Sequence, residues 1–321
     1  MLIYVNIKKE DKKTRKLFNL FSIIFCFFPS AILSFLLFDV IKLIFLFDDR
    51  KLYLLPLLLA LGVSGYGFVH AKKIYIKEYT IPIKCGKEHN KTDLTAVLLC
   101  DIHAGSYVNR RQFHKIVRTV NQIRPDLVFI AGDTFDQDAF GHCDMEGIQA
   151  ELQQLHPNSS HSEVRTYFEK AGIHLLIDEC VDTENFLIVG RDDILGNPSR
   201  TNLSELIGVN KIDKPVLVID HNPLGIEEGI KAGAALILCG HTHKGQFFPA
   251  TLFTKWAYGK RGFYGHFQTG NSHSIVSSGA GYFQLPIRIG TNSEVVVMRI
   301  NLFCDLNDEN QTQKETHCSN P

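Results

Sequence analysis

The pattern of apolar and polar positions divides the chain near residue 78. Before that point two uncharged runs, residues 17–38 and 52–71, dominate. Each is long enough to cross a bilayer as a helix. A cleaved leader would be shorter and would not be followed by a second run. The pattern therefore predicts a membrane hairpin over residues 17–78, behind a basic segment, residues 1–16, that carries Lys8, Lys9, Lys12, Lys13, Arg15 and Lys16. Pro29 is where a kink in the first helix is expected. Residues 39–51 mix charges with an apolar stretch at 43–47 and read as the connection. Lys72, Lys73 and Lys77 follow the second run, so both outer ends are basic and are expected in the cytoplasm, together with the domain beyond. Lys42, Arg50 and Lys51 in the connection weigh against that orientation. The expectation is a multi-pass protein of the cell membrane, with the lipid bilayer as its first partner.

Beyond residue 79 the pattern changes. Residues 95–100 form a continuous apolar run of strand length, and runs at 127–131, 216–220 and 234–238 resemble it. Helices are predicted at 110–122, stopped before Pro125, at 163–171, ended by Gly172, and at 225–231. Shorter strands at 174–177 and 186–189 and late strands at 275–278 and 294–300 complete a domain over residues 79–300. Alternating strands and helices predict an α/β fold. Residues 301–321 are polar and predicted to be disordered.

Composition narrows the function classes. The chain balances 34 basic against 34 acidic residues, which gives no electrostatic argument for nucleic acid as a partner. Its 8 cysteines form no C-x-x-C pair, so neither a zinc knuckle nor a redox motif is present. Cys100 and Cys239 lie in apolar runs and read as small buried residues.

The chemistry sits where the apolar runs stop. Residues 95–100 end at Asp101-Ile102-His103, residues 127–131 at Gly132-Asp133, residues 216–220 at His221, and residues 234–238 at Gly240-His241-Thr242-His243. In extended backbone residues i and i+2 point the same way, so His241 and His243 are expected to face one point. Open α/β sheets collect their ligands at the carboxyl ends of strands. An Asp at a strand end is often only a turn residue, and a lone His is more often structural. Four strand ends that all carry O or N donors suggest a metal site, and mixed carboxylate and imidazole donors suit Mn, Fe or Zn.

The order D-x-H, G-D-x-x-D, H-N-P and G-H-x-H resembles the calcineurin-like metallophosphoesterases. His221-Asn222-Pro223, Gly240 to Gln246 and Gly281 to Arg288 resemble its membrane-anchored branch, which includes UDP-2,3-diacylglucosamine pyrophosphatase-like proteins. The resemblance implies a four-layer α/β/β/α sandwich of two packed sheets. It implies two divalent metal ions. Asp101, His103 and His243 would hold one, His221 and His241 the other, Asp133 would bridge them, and Asp136 would support the shell from behind. It implies hydrolysis of a phosphodiester or pyrophosphate bond, with a lipid-linked nucleotide as in lipid A biosynthesis as the substrate class. The close approach of backbone to metal would explain Gly132.

One family motif is missing. A G-N-H-[DE] run, and the apolar strand before it, should stand between Asp136 and His221, and no Gly-Asn-His occurs in the chain. Asn158 and His161 are the residue types that would replace it; the alternative is a polar linker across a deletion. The alternative function is accordingly a catalytically impaired pseudoenzyme or membrane scaffold. Lys244 stands where the family usually has Gly, and either meets an anionic substrate or faces solvent. The apolar stretch 247–256 either touches the membrane surface or packs in the core. His142, His156, His266, His273 and His317 match no motif and read as surface or structural.

Overall fold

The computed structural model describes residues 12–46, 50–86, 93–105, 107–136, 148–149, 168, 170–208 and 214–303. The chain begins with helix α1 (Lys12–Phe45), which takes in part of the basic segment, runs through Pro29 and continues past Asp39 and Lys42. The connection is therefore shorter than its charges suggest. Lys42 stays within the helix because its Nζ meets the Tyr53 hydroxyl at 3.0 Å across the turn, while Phe38 packs edge-on against the Tyr53 ring. Helix α2 (Leu54–Ala71) returns alongside α1. Both helices carry stretches long and apolar enough to cross a bilayer, and most of those apolar side chains point outward.

Strand β1 (Ile74–Lys84) follows α2 at once. It pairs in parallel with β10 (Ser293–Phe303) from Ile74↔Ser293 to Lys84↔Phe303. Two expected boundaries move as a result. The hairpin ends at Ala71 rather than 78, and the last strand runs on to Phe303 rather than stopping at 300. The reason is that β1 is an edge strand with charged residues facing outward and only Ile81 and Ile83 buried deeply on its inner face. Its pairing is non-local and leaves a weak period in the sequence. Pro82 is tolerated there because an edge strand need not donate on both sides.

Next come β2 (Asp93–Leu99), α3 (Arg110–Ile123) and β3 (Leu127–Ile130). The Asn109 side chain caps α3 by accepting from the Gln112 N–H at 3.2 Å. Then follow β4 (Glu179–Asp182), β5 (Leu187–Gly190), α4 (Leu203–Gly208), β6 (Val216–Ile219), α5 (Ile226–Lys231) and β7 (Leu236–Cys239). Helix α6 (Ala250–Phe263), β8 (Gly265–Thr269) and β9 (Ser272–Val276) precede β10. The strand expected at 174–177 is irregular chain. Of the helix expected at 163–171, only Phe168, Lys170 and Ala171 lie among the described residues. The tail beyond Phe303 lies outside them, as do Asn158 and His161.

Two mixed sheets form, in the orders β1-β10-β2-β3 and β4-β5-β6-β7-β9-β8. Alternation along β2 explains the layering. Val97 and Leu99 face α3 and meet Phe113, Ile116 and Val120, whereas Ala96 and Leu98 face the second sheet and meet Leu217, Leu236 and Leu238. The far face of the second sheet, with Val218, Ile237 and Cys239, is covered by Leu203 and Ile226. The result is the expected four-layer α/β/β/α sandwich, preceded by a helical hairpin. Strands β2 and β3 are parallel, as are β5, β6, β7 and β9, so their carboxyl ends gather at one rim.

Candidate metal centre

Four strand ends meet at that rim. β2 delivers Asp101 and His103, β3 delivers Asp133, β6 delivers His221, and β7 delivers His241 and His243. Asp101, His103, Asp133, His241 and His243 all have positive φ, between 43° and 69°. A non-glycine residue pays for that backbone region in steric strain, and such residues cluster where side chains must be aimed. Here β2, β3 and β7 each turn sharply as the chain leaves the sheet, which swings their donor atoms inward.

Two groups of donor atoms result, Asp101, His103 and His243 in one, Asp101, Asp133 and His221 in the other, each with its atoms within 4.8 Å of one another. In the first, His103 Nε2 lies 3.0 Å from His243 Nε2, and His243 Nε2 lies 3.4 Å from Asp101 Oδ1. In the second, His221 Nε2 is 3.4 Å from Asp133 Oδ2 and 4.0 Å from Asp101 Oδ1. Asp133 Oδ2 also lies 3.5 Å from His103 Nε2, between the two groups. His241 is not in either group. Its ring stands edge-on to His221, 5.2 Å between centroids. The extended i, i+2 geometry expected for the two histidines is absent, because Thr242 between them is helical. His243 turns to the first group and His241 to the side of the second.

The surrounding bonds fix the rings. His103 Nδ1 lies 2.9 Å from Asp136 Oδ1, so that nitrogen carries the proton and Nε2 presents a lone pair inward. His221 Nδ1 donates to the Ala131 carbonyl at 2.9 Å in the same way. The Asp101 carboxylate, fully buried, accepts the His241 backbone N–H at 2.9 and 3.0 Å. Gly132 makes room for one of these rings. At φ 73° it lets the His221 ring pack where a side chain would stand, with His221 Nδ1 only 2.5 Å from where a Cβ would lie.

Arg288 is the residue whose role the sequence did not reveal. Fully buried, it donates to the carbonyls of His243 at 2.9 Å, Ser278 at 2.6 Å and Gly281 at 2.7 Å, tying the β7 and β9 loops together beneath the first group. An arginine next to Pro-Ile gives no local sign of such burial. Lys244 does not simply face solvent. It is half-buried, with Nζ 4.1 Å from the Tyr264 ring centroid.

The electrostatics follow from these contacts. Burial pushes the Asp101 carboxyl up, against the pull of His221 and His103. Burial pulls His221 down, but Asp133 and Asp101 outweigh it and push the imidazole up to about 9. Burial and then Arg288 hold His243 well below the ordinary histidine range. Two carboxylates facing imidazole lone pairs form a place where positive charge is favoured.

The donor set also passes a direct test of fit. His221 Nε2 is buried and has no hydrogen-bond partner. Its nearest acceptors, Asp133 Oδ2 at 3.4 Å and Asp101 Oδ1 at 4.0 Å, lie outside good hydrogen-bond geometry. A cation between it and the two carboxylates satisfies all three groups, and their chemistry suits a divalent transition metal.

The second group opens on a cleft. Among the described residues β3 pairs only with β2, and along its other side runs a cavity of about 930 Å³ lined by Val128, Ile130, Asp133, Ile173, Leu175 and His221.

Comparison with known proteins agrees with this geometry. No family model matches the chain. An uncharacterized metallophosphoesterase of Helicobacter pylori is 28% identical over 229 residues, covering 65% of this chain and 60% of the relative. A transmembrane protein with metallophosphoesterase domain from Danio rerio is 26% identical over 272 residues, covering 75% of this chain and 61% of the relative. An uncharacterized metallophosphoesterase of Bacillus subtilis is 27% identical over 265 residues, covering 74% of this chain and 90% of the relative. The match thus spans about 60% of the length of the first two. The chain is thus similar in sequence to metallophosphoesterases, transmembrane ones included.

Proposed function

We propose that this protein is a metal-dependent phosphoesterase anchored by the α1–α2 hairpin, with its α/β domain on the cytoplasmic side, and that it hydrolyses a phosphodiester or pyrophosphate bond in a lipid-linked or nucleotide substrate. The observation that carries the reading is the orphaned His221 Nε2, aimed at the carboxylates of Asp101 and Asp133. Asp101, His103 and His243 would hold one divalent ion, His221 and His241 a second, with Asp133 between them and Asp136 orienting His103. Such ions lower the pKa of water and neutralise charge on phosphoryl oxygens. The chain's own part is to aim and shield. The positive-φ turns set the donors, and Arg288 holds the β7 and β9 loops together beneath them. In the net reaction the water oxygen ends on phosphorus, the P–O bond to the leaving group breaks, and the leaving oxygen gains a proton. The names of the relatives carry no substrate, so the proposal does not extend to UDP-2,3-diacylglucosamine or lipid A.

A second reading, an impaired member that keeps one ion, rests on the open β3 edge and the missing G-N-H-[DE] run. Full-length protein in lipid nanodiscs, assayed with Mn and a chromogenic phosphodiester beside His221→Ala and Asp133→Asn, separates the two. Turnover in the wild type that both substitutions abolish supports the phosphoesterase. One bound metal and no turnover in any of the three supports the impaired form.

A further inference from the structure

Helix α6 inverts the usual arrangement of a surface helix. Its inner side carries Thr251 and Tyr258, whereas Leu252, Phe253 and Trp256 are 57%, 69% and 86% exposed. Leu252 and Trp256 are one turn apart, so the three share one face. Phe248 just before the helix and Phe283 on the neighbouring loop are also exposed. The stretch 247–256 is therefore not core. Contiguous exposed apolar side chains of this size mark a contact surface.

The position of this surface relative to α2 says which contact. The Gly67 carbonyl of α2 accepts the Arg288 N–H at 3.0 Å, and the Ala71 carbonyl accepts the Ser293 hydroxyl at 2.9 Å. Phe248 N–H in turn donates to the Ile289 carbonyl at 3.0 Å. Gln246 clamps the Phe283 loop, donating to the carbonyls of Phe283 and Leu285 at 3.1 and 3.0 Å and accepting from Phe283 N–H at 2.7 Å. The loop between β9 and β10, which carries Phe283, is thus bonded to α2 one turn, about 6 Å, inside the end of its apolar stretch, and the loop leading into α6 is bonded to it in turn. Lys255 and Lys260 are exposed beside the aromatic face. Trp at an interface with Lys beside it fits a headgroup layer of anionic lipid.

We infer that the outer face of α6, with Phe248 and Phe283, lies in the headgroup layer of the bilayer that holds α1 and α2, so that the metal centre opens onto phosphoesters carried by membrane lipids. The inference rests on the anchored reading above. The elements that carry this surface also border the centre, Phe283 from the surface itself and Tyr258 from the inner side of α6. The Phe283 ring is 5.3 Å from that of His103, and Tyr258 of α6 is 5.8 Å from His241. A headgroup phosphoester reaches the donors without leaving the interface, and a lipid substrate need not be extracted into water.

Trp256 is the only tryptophan of the chain, so its fluorescence reports this face alone. The test is flotation of full-length protein with anionic vesicles, followed by quenching of that emission by lipids brominated near the headgroup and by aqueous iodide. The expected result is a protein that floats, loses most of its emission to brominated lipid, resists iodide, and regains iodide sensitivity in Phe253→Asp. A protein that floats but is quenched by iodide and not by lipid overturns the inference and leaves the anchor standing. Quenching by neither means that another protein surface, such as a second copy, covers the helix, and overturns it too. A protein that does not float overturns anchor and surface together. None of these readings needs turnover, so they stand apart from the metal chemistry.

Discussion

The two donor groups share Asp101 but differ in what stands behind them. Around the first, Asp101, His103 and His243 are all buried, Asp136 holds one ring, and Arg288 braces the loop of another from below. Around the second, the Asp133 side chain is 46% exposed, His241 stands aside, and the cleft along β3 reaches His221. The difference teaches that a metal centre built at the junction of two sheets is only as closed as the sheet edges beside it. Strand β2 is interior and its donors are enclosed. Strand β3 is the last described strand of its sheet, and its donor is half open.

The strongest way to break the comparison is Asp101→Asn, because both groups use that carboxylate. The amide can still accept from His241 N–H, so the fold survives. Metal per chain, read by elemental analysis, is expected to fall to near zero and hydrolysis to background. Retention of a full metal complement would mean that the groups are not joined through Asp101.

Next in size is the contrast between the groups themselves. In a metal titration the enclosed group is expected to bind about 10–100-fold tighter than the open one, the usual effect of missing supporting partners. His243→Ala should remove the tight class, and His221→Ala only the weak one. Equal affinities would show that the β3 edge does not matter.

Asp136→Asn sharpens the picture more gently. It leaves every donor in place and loosens only the His103 ring, so the tight class is expected to weaken by about 10–100-fold, with little change in the melting temperature of the metal-free protein.

The smallest effect concerns a histidine pair far from the centre. His266 Nε2 lies 2.9 Å from His273 Nδ1, bridging β8 and β9. Burial lowers both pKa values; the charge of His273 lowers that of His266 further, and the Pro82 carbonyl only partly offsets the effect on His273. The folded state thus favours neutral rings. Their stabilisation is present above the unfolded histidine value near 6.5 and is lost as pH falls through the lower folded values. Thermal stability is expected to fall between pH 7 and pH 5, with a shallower fall in His266→Gln. An identical slope in the variant would show the pair to be silent.

How much of this was legible in the chain differs from element to element. The runs 95–100, 127–131, 216–220 and 234–238 announced β2, β3, β6 and β7 because interior parallel strands are apolar on both faces. The donors at their ends were legible for the same reason, since a polar residue after such a run has nowhere else to be. Strand β1 was missed because an edge strand tolerates charge, β8 because its pattern is irregular, and α6 because its exposed face is the apolar one.

What the sequence determined by itself was the inventory: two apolar helices, the strand ends with their carboxylates and imidazoles, and the absence of a Gly-Asn-His run. All of these are carried by local pattern and residue chemistry. Only the tertiary structure decided how the inventory is grouped. His241 and His243 are two residues apart, yet a helical Thr242 and two positive-φ turns send them to different neighbours. Arg288 joins loops that follow different strands, and α2 docks on the loop between β9 and β10. Such pairings depend on where the strands lie in their sheets, and that is set by non-local burial, to which neither the spacing nor the type of any one residue is a guide.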